Sequence, residues 1–337
     1  MRTSSSFALA AALLGAAPAS AQDHRIIVRE AVRSVLPPLY QGRNRGPEQT
    51  EHFSRRVRIG RDGRVNLSNI SGDIAITGGS GDEVSIEAVK RTRADRSELG
   101  NVQIVVDEGA GRVDIRTDYP TRGNNHVSVD FTLTVPSSTS VEVHSISGDV
   151  RLTNIQGTVR AETISGNVTT SGSPHVAFAK SVSGDVDLSG ANIDGDLTAG
   201  TISGSIRARG VKARSLQVGS VSGDITLSDA ACDRLEAKSV SGTVEYGGTL
   251  ARSGRYSFNS HSGAVRLLLA NDVGFIIEAS TFSGSIRSDL PLTIGGDTDR
   301  DVRRRGIGNR SIRGRYGDAS ALLTIRSFSG DIVIQKR

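Results

Sequence analysis

A five-residue motif constrains this chain more than any other feature: Ile, Val, Phe or His, then Ser-Gly, one variable residue, and Ile or Val. It recurs ten times in 337 residues. Its glycines are Gly72, Gly148, Gly166, Gly184, Gly204, Gly223, Gly242, Gly263, Gly284 and Gly330. From Ser147 to Ser283 the motif serines are 18, 18, 20, 19, 19, 21 and 21 residues apart, the signature of a repeat array. After each glycine apolar and polar residues alternate. Val150 and Leu152 flank Arg151, Val186 and Leu188 flank Asp187, and Val265 and Leu267 flank Arg266. A two-residue period belongs to strands, and no helical period competes with it.

A second apolar series, Val159, Leu197, Leu216, Leu235 and Phe275, recurs near the middle of each unit. Two short strands and two turns use up a unit of this length, and such a unit cannot bury its own apolar face. Stacked copies must therefore share one core, which predicts an all-β fold, a parallel β-helix-like β-solenoid of about 18–21-residue rungs. Gly148, Gly166, Gly184, Gly204, Gly223, Gly242, Gly263, Gly284 and Gly330 are expected to form a structural ladder at a corner, through positive φ or close backbone approach. The Ser or Thr two places before each motif serine, such as Thr163, Ser181 and Thr201, should stack into hydroxyl columns bonded along the axis. After the glycine, consecutive units carry Asp149, Asn167, Asp185, Ser205, Asp224, Thr243, Ala264 and Ser285, so no two neighbours are both acidic. Adjacent carboxylates would repel by about 1 kcal/mol even in water, and the alternation avoids this.

The ends differ. Residues 1–21 combine Arg2, an apolar run from Phe7 to Ala17 and Ala19-Ser20-Ala21, the pattern of a signal peptide cleaved after Ala21. Residues 22–52 read as a tether with a short helix over Ile26 to Leu36, closed by Pro37-Pro38. Irregular strands fill 53–136 as an N-terminal β region that caps the repeats, which occupy 137–337. An Arg-rich insertion, 297–316, interrupts the 46-residue step from Ser283 to Ser329; its Arg303, Arg304, Arg305, Arg310 and Arg313 are candidates for polyanion binding, and a solvated loop is the alternative. Interspersed charge, a formal net charge of +5 and 4% aromatic content do not describe a nucleic-acid binder. One cysteine, Cys232, placed in a mid-unit turn, permits no internal disulfide. Asp297, Asp299 and Asp301 open like a calcium loop, but Val302 and Gly308 stand where Gly and Glu are required. No metal, cofactor or catalytic residue is expected from the scattered histidines or from any nucleophile or phosphate motif.

The tandem motifs, with Val65-Asn66-Leu67-Ser68-Asn69 and Val127-Ser128-Val129-Asp130-Phe131, resemble the bacterial putative-adhesin, β-strand-repeat family of unknown function. The resemblance covers about Phe53 to Arg337 and implies an exported β-solenoid with no assigned catalytic residue. The expected function is a non-enzymatic, adhesin-like interaction module of the cell envelope or exterior, without a transmembrane span in the mature chain. Its partners would be envelope polyanions, glycans or another envelope protein. A self-assembling extracellular scaffold and a β-helical polysaccharide-active enzyme are the alternatives.

Overall fold

Alternating apolar residues with a two-residue period can be buried on one side only if the chain is extended, and the computed structural model is almost wholly strand. It describes residues 47–120, 126–270, 273–294 and 310–337. Among these are 25 strands in one mixed sheet and one short 3-10 helix, Arg96–Asn101. The signal-peptide, tether-helix and Asp297–Asp301 readings, with Arg303, Arg304 and Arg305, lie outside the described residues. Gly46–Arg337 is one compact unit. Its first strand, Gln49–Arg58, begins within the segment expected to be tether, because it has an antiparallel partner in Glu83–Thr92.

Two parallel ladders meet at the Ser-Gly corner. In the first, strands ending on the motif serine pair serine to serine: Ser71 with Ser147, Ser147 with Ser165, Ser165 with Ser183, and so on to Ser262. In the second, the short strands after the corner pair in the same order, as Val150–Thr153 does with Val168–Ser171. The alternation puts Val150, Leu152, Val186, Leu188 and Leu216 inside, all nearly inaccessible, in one core shared by both ladders. Units of 19–21 residues have room for a third, shorter ladder that the two-strand reading lacked. Asn192 and Ile193 pair with Lys212 and Ala213, these with Ala231 and Cys232, and those with Thr249 and Leu250.

The order of units departs from the order of the chain at both ends. The Ser71 unit lies directly on that of Ser147, and the intervening chain forms the cap: Arg112–Asp118 and Ser128–Pro136 continue the two ladders, and antiparallel strands cover them. At the other end the last unit, Ala321–Ser329 with Ile332–Lys336, inserts between the units of Ser262 and Ser283. Sequential stacking was expected, with two units' worth of chain after Ser283. Insertion leaves Phe275–Thr281 outermost, where Arg310–Tyr316 pairs with it antiparallel and covers its edge. The second part of the Arg-rich insertion is therefore a capping strand and not a loop. An open parallel edge would invite further strand addition, and an antiparallel return closes it.

Candidate functional site: the Ser-Gly corner and its exposed ridge

The corner is built around contact between glycines. A Cβ on Gly204 would lie 2.1 Å from the Gly184 carbonyl oxygen, and one on Gly166 the same distance from that of Gly148. The same contact links Gly330 to Gly263 and Gly284 to Gly330, repeating the inserted order. Close approach therefore explains the motif glycines throughout. Positive φ holds for some, such as Gly148 at 133° and Gly223 at 151°, but not for Gly204.

The hydroxyls expected to bond along the axis to one another bond instead to these glycines in most units, while those of Ser145, Ser239 and Ser327 are buried without a hydrogen-bond partner. Ser181 donates to the Gly166 carbonyl at 2.8 Å, Thr201 to Gly184 at 2.9 Å and Ser220 to Gly204 at 3.1 Å. The carbonyls face the corner interior, where a hydroxyl one layer on is the nearest donor. Asn69 heads the column, donating to the Val129 carbonyl and accepting from Thr117 Oγ1.

The position after the glycine has a role that repulsion arguments missed. Each Asp or Asn side chain there accepts the backbone N–H of the same position one unit on. Asp149 N–H donates to Asp73 Oδ1 at 2.9 Å, Asn167 N–H to Asp149 at 2.9 Å, Asp185 N–H to Asn167 at 2.8 Å and Ser205 N–H to Asp185 at 2.8 Å. Because the Ser71 unit adjoins that of Ser147, Asp73 and Asp149 are neighbouring acids, contrary to strict alternation. The N–H donated to each carboxylate, with Arg151 2.7 Å from Asp149, offsets their repulsion. Ser205 N–H, and secondarily Arg207 at 2.8 Å, hold the Asp185 carboxyl below its ordinary range. Ser285 does the same for Asp331.

Outside this packed corner lies its most distinctive surface. The residue before each motif serine points to solvent. In unit order these are Ile70, Ile146, Ile164, Val182, Ile202, Val221, Val240, His261, Phe328 and Phe282, the nine apolar ones being 37–50% exposed. At one end the His261 and Phe282 rings both stack on Phe328, at 4.9 and 5.1 Å between centroids. The ridge therefore runs unbroken through the inserted unit. Beside it is a shallow hollow of about 400 Å³, whose floor includes Gly200 and Gly219 and whose lining includes Glu162, Lys180, Glu236 and Lys238. Nothing lies closer than 3.9 Å to a Cβ on Gly219, so packing does not require glycine there.

The predicted arginines are placed as follows. Arg313 pairs with Glu278 across the capping strands, and Arg310 donates to the Gly284 carbonyl at 2.8 Å. Both are tied to the cap. Cys232 lies in a strand and not in a turn, buried, with burial pushing its thiol up to about 12. Among the described residues no group of three His, Cys, Asp or Glu side chains could hold a metal, and no helix is long and apolar enough to cross a membrane. The β-branched or aromatic residue before each motif serine is more than a strand former. Its exposure was the readable signal, since alternation from the buried Ser or Thr one place earlier turns it outward.

These features define an all-β repeat protein with one large mixed sheet. Residues 176–335 match the family described as Toastrack DUF4097. Solved structures similar to the chain include a putative adhesin from Bacteroides fragilis, at 11% identity and TM-score 0.41 over 85% of this chain and 97% of that one. Another is a putative adhesin from Parabacteroides merdae, at 9% identity and TM-score 0.37 over 85% and 96%. A third is a putative lipid binding protein from Parabacteroides distasonis, at 12% identity and TM-score 0.41 over 85% and 97%. No curated protein matches the chain in sequence.

Proposed function

We propose that this protein is an exported, non-enzymatic interaction module of the bacterial envelope, a β-solenoid whose corner ridge is the binding surface. The observation that carries this reading is the continuity of the ridge: apolar side chains, each more than a third exposed, follow one another through every unit but that of His261, whose ring stacks into the same row. Soluble monomers seldom leave so long an apolar stripe uncovered, and such stripes mark interaction sites. Much of the corner chemistry beneath it is consumed in structure, since hydroxyls such as Ser181 and Thr201 donate to glycine carbonyls and the acidic column accepts backbone N–H groups. This favours a rigid scaffold presenting a surface over a hydrolase with free carboxylates on a groove. Export with cleavage after Ala21 belongs to the same proposal and rests on the N-terminal pattern.

The test is co-sedimentation with washed envelopes of the source bacterium. Wild type is expected in the pellet, and a triple variant Ile164→Ser, Ile202→Ser, Val240→Ser in the supernatant with its circular dichroism unchanged. Equal pelleting of both would move the binding surface elsewhere. Intact mass of protein recovered outside the cytoplasm should correspond to a chain beginning at Gln22; a retained Met1 would overturn export by this route.

A further inference from the structure

We propose that the ridge is covered by a second copy of this chain, docked antiparallel about a two-fold axis at Gly200. This names the occupant of the ridge when the protein is free in solution and rests on the reading of the ridge as an interaction surface; binding to the envelope through the ridge then displaces the second copy. The first argument is area. Nine half-covered Ile, Val and Phe side chains expose on the order of 700 Å², close to the roughly 800 Å² that each partner contributes to a standard stable interface. The second is pitch. Knobs repeating at the strand spacing of about 4.8 Å are matched by another ladder with the same spacing.

Charge fixes the orientation. In the outward row two places before the ridge, the acid is Glu162 and the bases are Lys180, Lys238 and Arg326. A membrane-facing surface would be uniformly basic, and this row is not. Parallel, in-register docking would set every charge against its like. Antiparallel docking does the reverse, and the hollow beside the ridge gives the register. Its lining reaches from Glu162 to Lys238, and its midpoint is Gly200, two units from each. An axis there places Glu162 of each copy against the other copy's Lys238. It also places Lys180 over the hollow at the other copy's Gly219, where nothing would crowd a Cβ. Moving the axis half a unit, to between Gly200 and Gly219, would set Lys180 against the second copy's Lys238. Lys238 already pairs within its own strand with half-buried Glu236 at 2.5 Å, so the partner's acid joins a partly solvated pair. Gly219 is in mid-strand, where glycine weakens the strand, and the proposed contact gives that sacrifice a purpose, whereas at Gly200 the chain's own Lys180 stem already lies 3.4 Å from where a Cβ would be.

The experiment is sedimentation velocity over a concentration series on wild type, Glu162→Lys, Lys238→Glu and an equimolar mixture of the two variants. Wild type is expected to be dimeric at micromolar concentration. Each single variant should dissociate at least tenfold more readily, because it sets like charges together twice. The mixture should recover dimer, because the lysine introduced by one substitution then meets the glutamate introduced by the other, and the two unaltered side chains pair as in wild type. Both substitutions are on exposed side chains, and unchanged thermal melting confirms the fold of each variant. A monomeric wild type, single variants that dimerise like wild type, or a mixture no better than its components would each overturn the proposal. So would binding of monomeric wild type to phosphatidylcholine vesicles through the ridge, which would assign the surface to lipid. A monomer that still loses envelope binding on ridge substitution would overturn the dimer alone and leave the interaction surface standing.

Discussion

At Gly204 a single methyl group would fall inside the van der Waals radius of the Gly184 carbonyl, with the corner backbone fixed on both sides. Gly204→Ala is therefore expected to destabilise the fold by about 2–3 kcal/mol, as overpacking at an unyielding contact does. Ser203→Ala, one residue away and exposed, should stay within about 0.5 kcal/mol. Urea unfolding of the two variants measures the difference, and equal stabilities would mean that the glycine column is not in contact. The acidic column makes a pH prediction. Asp185 is held below its ordinary carboxyl value by the Ser205 N–H and then by Arg207. A folded pKa depressed in this way gives stability that is present above the unfolded value of about 3.9 and is lost as pH falls through the folded value. Asp185→Asn keeps an acceptor for Ser205 but loses the charge. It should be less stable than wild type at pH 7 by no more than about 1 kcal/mol, given the exposure of the pair. The gap should close on acidification below the ordinary carboxyl range, as melting at a series of pH values would show. A gap that widened in acid would contradict this assignment.

The elements show what the residue pattern can and cannot convey. The irregular strands expected in 53–136 are present, Arg64–Ser71, Glu83–Thr92, Gln103–Gly109, Arg112–Asp118 and Ser128–Pro136 among them, because alternation alone defines a half-buried strand. Val159, Leu197, Leu216, Leu235 and Phe275 are all in the core. Which unit lies on which was not legible. Every motif offers the same register, so Ser262 can pair equally well with Ser283 or Ser329, and only closure of the exposed edge decides. The acidic column was legible in composition but not in role, since the backbone N–H that each side chain accepts belongs to the neighbouring unit. Cys232 shows the same limit: its place in the third ladder, between Ala213 and Leu250, depended on where the longer units put their extra residues. Buried and with its thiol pushed up to about 12, it should not react with a disulfide reagent at pH 8 until the protein is unfolded in denaturant. Prompt reaction of the native protein would show that the third ladder opens there.

Across the whole molecule, the functional account depends on a continuous ridge, and its stacked aromatic end exists only because the last unit in the chain inserts before the second-last. Without that insertion Phe328 would not lie between His261 and Phe282. The order can be read directly by disulfide trapping in a Cys232→Ser background. Asn259 and Arg326 are paired residues on adjacent parallel strands, both facing outward. Adjacent strands lie about 4.8 Å apart and strands one further away about twice that, beyond the roughly 7 Å that a disulfide can bridge. The variant Asn259→Cys with Arg326→Cys should therefore form an intramolecular bond under mild oxidation, losing the mass of two hydrogens. Asn259→Cys with Ser280→Cys should remain reduced. The opposite result, a bond to position 280 and none to position 326, would restore sequential stacking and take Phe328 out of the ridge.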